Sequence, residues 1–207
     1  MITRLSKLEA DDLKEAGSIG AASASTALSK LINRPIEVST TKLQLMNLDD
    51  IPSLVGGPTI LSVGTLFEIV GDLKGALLLL ASKKTTMCLA DMVQGRRVGT
   101  TKFMSEMDKD AIKEVGNILV GAYMTALAEL SGLNILESIP KLEINNVPAI
   151  ISDVIKEYDH KVRYTLVIET KMRIKKEGFT EDIIIILGHE EFGKLFHAMV
   201  KRMKKYR

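Results

Sequence analysis

The sequence predicts an α+β fold with internal pseudo-two-fold symmetry: a joined, mostly antiparallel sheet covered by two long helices and several further ones. Three observations predict it. The stretch Asp11-Asp-Leu-Lys-Glu15-Ala-Gly-Ser18-Ile recurs ninety-nine residues later as Asp110-Ala-Ile-Lys-Glu114-Val-Gly-Asn117-Ile, and Thr26-Ala27-Leu28 recurs as Thr125-Ala126-Leu127. Each copy opens the same order of elements: long helix, strand, short helix, hairpin, closing helix. Each half also holds one continuous apolar run, Leu77 to Leu80 and Ile183 to Leu187, as expected of a strand central in a sheet or covered on both faces. The chain is therefore expected to be one domain, 1–207, built from two repeats at about 9–95 and 105–206.

In the first half, Leu13, Gly17, Ala21, Ala24 and Leu28 recur at helical spacing, which predicts a helix over about Asp11 to Ile32 with Asp11 or Asp12 as its N-cap. One face of it is nearly bare of side-chain bulk, as where another helix or a sheet comes very close. Asn33-Arg34-Pro35 ends it, because proline disfavours a helical conformation in the residue before it. A strand is expected from Ile36 to about Met46 and a short helix from Leu48 to Val55, stopped by Gly56-Gly57-Pro58. Thr59 to Val70 and Gly75 to Ala81 read as a hairpin. Lys84 to Gln94 reads as a helix, and the polar, glycine-rich run from Gly95 to Thr101 as the joint between halves.

The second half repeats the order. A helix is expected from Ser105 or Asp108 to Leu130, stopped by Ser131-Gly132. A strand from Asn134 to Ile144 and a short helix from Val147 to Val154 follow. The next hairpin, Lys161 to Ile174 and Glu181 to Gly188, has Lys175 to Thr180 as its longer loop, and Glu190 to Lys204 closes the half as a helix. Pseudo-symmetry would relate the two motif helices and give two equivalent surface sites.

Composition narrows the function classes. A formal net charge of +2 over 207 residues gives no reason to expect nucleic acid or a membrane surface as partner. The single cysteine, Cys88, excludes an internal disulfide and a thiolate zinc site, which favours a reducing cytoplasm; on its helical pattern it reads as a small buried hydrophobe. No signal peptide and no bilayer-spanning apolar run is visible, so membrane insertion is not expected. The three histidines lack the spacing of a metal site. The basic run at Lys201 to Arg207 could attract an acidic partner, but the dipole of the helix it ends is already a sufficient cause. Gly95-Arg96-Arg97 lacks the spacing of a phosphate loop.

The chemistry lies in the repeated motif. Glu114 and Asn117 are three residues apart, so a helix projects them from one face about a turn apart. Asparagine beside glycine is a poor choice for a helix interior, and such local conflict is where a functional cause is worth weighing against an ordinary solvated face. The pattern Asp110-x3-Glu114-x2-Asn117-x22-Pro140 resembles the signature of the CheC/CheX/FliY family of chemotaxis phosphatases. The duplication over almost the whole chain resembles CheC most within that family.

The resemblance implies hydrolysis of the aspartyl phosphate on the response regulator CheY. Asn117 would orient the attacking water, and Glu114 would dock by pairing with a lysine of the regulator. No cofactor or metal of this chain is implied; Mg²⁺ is expected in the regulator. The first copy keeps Glu15 but has Ser18 in place of the amide and Thr41 in place of Pro140, so it reads as a degenerate second site, weak or silent. The resemblance also suggests CheD as a partner. The alternative is a non-catalytic adaptor that binds CheD, CheY or the flagellar switch.

Overall fold

Two antiparallel hairpins form the middle of the sheet. Strand β2 (Leu61–Gly71) pairs with β3 (Gly75–Ser82), and β6 (Tyr164–Ile174) pairs with β7 (Glu177–Leu187). The two hairpins meet through β3 and β7, with Leu77 opposite Ile185 and Leu79 opposite Ile183. The two apolar runs thus lie side by side inside one seven-stranded sheet. These positions come from a computed structural model that describes residues 7–158, 164–174 and 177–206.

The outer strands are exchanged between halves. From the first half, β1 (Glu37–Asn47) pairs with β6. From the second, β4 (Ile135–Glu137) and β5 (Lys141–Asn146) both pair with β2. The registers obey the repeat. Val38 lies opposite Met172 and Leu43 opposite Ile168; ninety-nine residues on, Glu137 lies opposite Ile69 and Leu142 opposite Thr65. The irregularities correspond too: β1 shifts register between Thr40 and Lys42, and Ser138 to Pro140 interrupt the second-half strand. The single strand expected from Asn134 to Ile144 is therefore two, because proline has no N–H to give to the ladder and is confined to edges and bulges.

The sheet is covered on both faces. Helices α1 (Lys7–Ile32), α2 (Lys83–Val93), α3 (Glu106–Ser131) and α5 (His189–Tyr206) lie on one side. A short 3₁₀ helix (Leu48–Val55) and α4 (Val147–Tyr158) lie on the other. Along β3, Leu77 and Leu79 join the first layer while Ala76, Leu78 and Leu80 join the second. Burial on both faces is the physical reason that the run lacks polar alternation.

Other expectations are corrected. Helix α1 already includes Lys7, so Asp11 and Asp12 lie inside it and are not its caps. The long loop expected at Lys175 to Thr180 is mostly ladder, with Ile174 opposite Glu177 and Lys171 opposite Thr180; extended pairing satisfies backbone groups that a loop would leave to water. Lys175 and Lys176 lie outside the described residues, as does Lys161, the expected start of that hairpin. Helix α4 runs to Tyr158, past the expected Val154. Cys88 is half-buried, not buried.

Helices α1 and α3 cross at Gly20. A Cβ there would lie 2.9 Å from the Tyr123 ring and 3.0 Å from the Tyr123 Cα, so glycine is what permits the approach. The Tyr123 hydroxyl lies 2.9 Å from Thr40 Oγ1 and accepts from Thr170 Oγ1 at 3.3 Å, while Thr40 Oγ1 donates to the Gly17 carbonyl at 3.1 Å. One side chain of α3 thereby ties α1, β1 and β6 together. Gly20→Ala should destabilise the fold by about 1–3 kcal/mol in chemical denaturation, although alanine is the better helix former.

Asp182 of β7 is 3 % exposed, faces Glu169 across the ladder, and has a buried Oδ1 without a hydrogen-bond partner among the described residues. Burial, with the Glu169 charge added, pushes its carboxyl up to about 7. The folded state therefore binds its proton more tightly than an unfolded aspartate of pKa about 3.9 does. The native form is unpenalised below pH 4 and loses stability as pH rises towards 7. Asp182→Asn should gain on wild type by about 3 kcal/mol between pH 4 and pH 8, measured by urea unfolding at both.

Candidate functional site

The motif helix α3 is anchored at its first turn by a buried network of acids. Ser105 caps it: its Oγ accepts from the Asp108 N–H at 3.2 Å, and Asp108 Oδ2 accepts from the Ser105 N–H and hydroxyl, both at 2.7 Å. This reciprocal pair satisfies donors that a bare helix end would leave unpaired. Asp108 Oδ1 accepts from Gln94 Nε2 at 2.8 Å and from the Arg96 guanidinium. Arg96 also pairs with Asp91 at 3.1 Å. Asp91 in turn collects the N–H groups of Gly99, Thr100 and Thr101 at 2.9, 2.9 and 3.1 Å.

Asp91 is 0 % and Asp108 2 % exposed, yet both stay ionised. Burial is the largest influence and pushes each carboxyl up. For Asp108 the hydrogen bonds from Ser105 and Arg96 outweigh it and hold the pKa at about 2; for Asp91 those from Thr101 and Thr100 hold it below the usual range. The joint that reads in the sequence as a polar linker is thus wound around two carboxylates. Nothing in its composition marks Arg96 as their shared partner, since that requires α2 and α3 side by side.

Beyond this anchor, Gly116 seats α3 on the sheet. A Cβ there would lie 3.3 Å from Leu79 and Phe67 and 3.4 Å from Thr65. With that face turned in, Glu114 and Asn117 face out, both exposed. Among the described residues neither side chain has a hydrogen bond or ion pair; the neighbouring Lys113 is occupied by Asp110 at 3.1 Å. A carboxylate and an amide one helical turn apart, uncommitted on an open surface, can receive a cation and orient a water respectively.

The first copy differs. Glu15 and Ser18 are also exposed on α1, but the Ser18 hydroxyl donates to the Lys14 carbonyl at 2.9 Å. It is folded back on its own helix. Between the two motif helices runs a groove of about 340 Å³, lined by Ile19 and Ser23 of α1 and by Ile118 and Ala122 of α3. These are pairs under the repeat. Asn117 lines the groove; Glu15, Ser18 and Glu114 do not.

One further carboxylate reaches this surface. Glu137 on edge strand β4 projects to the same side of the sheet as Ile135, towards α3, and a Cβ on Gly121 would lie 3.1 Å from its Oε1. The strand end is held by Ser138, whose N–H donates to the Glu68 carbonyl at 3.0 Å and whose Oγ accepts the Glu68 N–H at 2.9 Å. Pro140 is buried and Ile139 is 88 % exposed. Sequence reasoning missed Glu137 because the pairing of β4 with β2, not sequence spacing, brings it to α3. Among the described residues no group of three or more His, Cys, Asp or Glu side chains could hold a metal ion. No helix among them is long and apolar enough to cross a membrane. His197 is exposed on α5, His160 lies outside the described residues, and His189 carries no described side chain.

Residues 107–144, which include the whole of Asp110 to Pro140, match the CheC-like family. The CheY-P phosphatase CheC of Bacillus subtilis (strain 168) is 26 % identical over 197 residues, 91 % of this chain and 92 % of that protein. The flagellar motor switch phosphatase FliY of the same organism is 26 % identical over 144 residues, 69 % of this chain and 37 % of FliY. Among solved structures, Thermotoga maritima FliY superposes with a TM-score of 0.78 at 25 % identity, covering 96 % of this chain and 98 % of that one.

The acid network makes its own prediction. Arg96→Met leaves two buried carboxylates without their shared cation and should cost about 2–4 kcal/mol in denaturant unfolding at pH 7. Because the Asp108 pKa is depressed to about 2, its contribution is present above the unfolded pKa of about 4 and is lost between pH 4 and pH 2. The wild-type advantage over Arg96→Met should shrink across that window.

Proposed function

We propose that this chain, a relative of the CheC/CheX/FliY proteins, accelerates hydrolysis of the aspartyl phosphate on a phosphorylated chemotaxis response regulator, CheY or its counterpart, with Glu114 and Asn117 as the working pair. The observation that carries the reading is their placement: one turn apart, exposed, and without a partner among the described residues, on a helix seated firmly on the sheet.

The chemistry asks little of this chain. An acyl phosphate carries a good leaving group, a carboxylate. Water attacks phosphorus in line, the new P–O bond forms as the bond to the acyl oxygen breaks, and the aspartate and inorganic phosphate separate. The regulator would bring its own Mg²⁺ and lysine around the phosphoryl group. The remaining task is to hold the water on the attack line, which is positioning. The Asn117 amide can accept from and donate to that water without adding charge. Glu114 docks the helix by pairing with the regulator's lysine and need not take the proton.

An adaptor reading, in which the chain binds CheD, CheY or the flagellar switch without catalysis, has one observation in its favour. On α1, Glu15 is exposed while the Ser18 hydroxyl is tied to Lys14, so that helix keeps a docking group without the water-orienting one. Following decay of phosphorylated CheY separates the readings. Wild-type protein should accelerate it, and Asn117→Ala should lose about a hundredfold of that acceleration with binding retained. Wild-type protein that binds CheY and leaves its decay unchanged would make the chain an adaptor.

A further inference from the structure

We propose that Glu137 is a second recognition carboxylate of the site, held one helical turn beyond Asn117 by the side-chain-free surface of Gly121, and that it engages a cationic group of the phosphorylated partner. The inference rests on the functional reading above and deepens it.

Three observations meet at this point. Glu114 precedes Asn117 by three residues and Gly121 follows it by four, so a helix places all three on one stripe. Glu137 Oε1 lies against Gly121; the outward stripe thus carries a carboxylate on each side of the amide, one from α3 itself and one from β4. The two halves also differ here together. The repeat sets Ala22 at the place of Gly121 and Val38 at the place of Glu137, and the strand registers confirm the second pairing. Val38 is buried, and Ser18 stands for Asn117. The half without the amide also lacks the carboxylate and the glycine that seats it.

The physical role follows from position. A partner whose phosphorylated aspartate meets Asn117 must bring the surrounding loops over both ends of this stripe. Glu114 alone fixes one point, and α3 could still pivot about it. A second ion pair a turn away on the other side of the amide fixes the direction of the helix over the phosphoryl group. Charge-assisted contacts at a partly exposed rim are modest in strength and sensitive to salt. Their effect should therefore appear in affinity and on-rate more than in the chemical step.

The test compares wild type, Glu137→Gln, Gly121→Ala and the double variant for decay of phosphorylated CheY, with binding to beryllofluoride-activated CheY measured alongside. Glu137→Gln should raise KM and Kd about five- to tenfold at low salt with kcat within about twofold, and that gap should narrow at high salt. Gly121→Ala suits a helix interior better than glycine does, yet its methyl would lie 3.1 Å from Oε1 and push the carboxylate aside by a few tenths of an ångström; it should weaken binding in the same direction, by less than Glu137→Gln does, without lowering the melting temperature. The double variant should be no worse than Glu137→Gln. Unchanged KM and Kd in Glu137→Gln would overturn the proposal while leaving catalysis by Asn117 intact. A fall in kcat alone would overturn it too. If wild type binds but does not hydrolyse, the catalytic reading fails, and the Kd ratio between wild type and Glu137→Gln still decides the role of Glu137.

Discussion

The pairing of β3 with β7 is the interaction on which the other features depend. It sets two runs of aliphatic side chains against each other at the centre of the sheet and buries them from both faces. Buried backbone groups must be paired, and here the ladder between the halves is what pairs them. The exchange of outer strands strengthens the same coupling, since β1 completes the second-half hairpin and β4 with β5 complete the first. Neither half has a full sheet without the other.

That joint sheet positions the motif helices. Gly17 and Gly116 let α1 and α3 sit close to it, and Gly20 lets them sit close to each other. The twin seating turns the motif face of each helix outward, but it does not make the two faces alike. Ser18 spends its hydroxyl on Lys14, Ala22 fills the place that Gly121 leaves open, and Val38 goes into the core where Glu137 comes to the surface. The duplication preserves the scaffold, while the polar groups that could act on a partner concentrate on α3. A chain can retain the fold of a copy whose site is lost when that copy still has a structural task; α1 has one, burying Leu13, Ala16, Ala21, Ala24 and Leu28 in the first layer.

Much of this was legible in the sequence because periodicity and repetition are local signals. The helical spacing from Leu13 to Leu28, the apolar runs and the ninety-nine-residue repeat predicted the elements, their order and the joined sheet. The shared face of Glu114 and Asn117 followed from their three-residue spacing on a helix. What was not legible depends on non-local pairing. Pro140 splits a strand whose hydrophobic pattern runs through it. Glu177 to Thr180 pair with Lys171 to Ile174, although they read in the sequence as part of a loop. Arg96 meets Asp91 and Asp108 only once α2 lies beside α3, and Glu137 meets Gly121 only once β4 lies on the edge of β2. Cys88, in a helix with Thr86, Leu89 and Ala90 buried beside it, sits at the margin of the covered face, a distinction of angle that composition does not carry.

The proposed function requires that one of the two repeated motif faces, that of α3, meet the phosphorylated partner. Amide chemical-shift mapping of isotopically labelled protein, titrated with beryllofluoride-activated CheY, tests it most directly. The largest changes should run along α3 from Glu114 to Gly121 and onto Glu137, with Glu15 and Ser18 changing little. Changes centred on α1 around Glu15 and Ser18, with α3 unaffected, would contradict it.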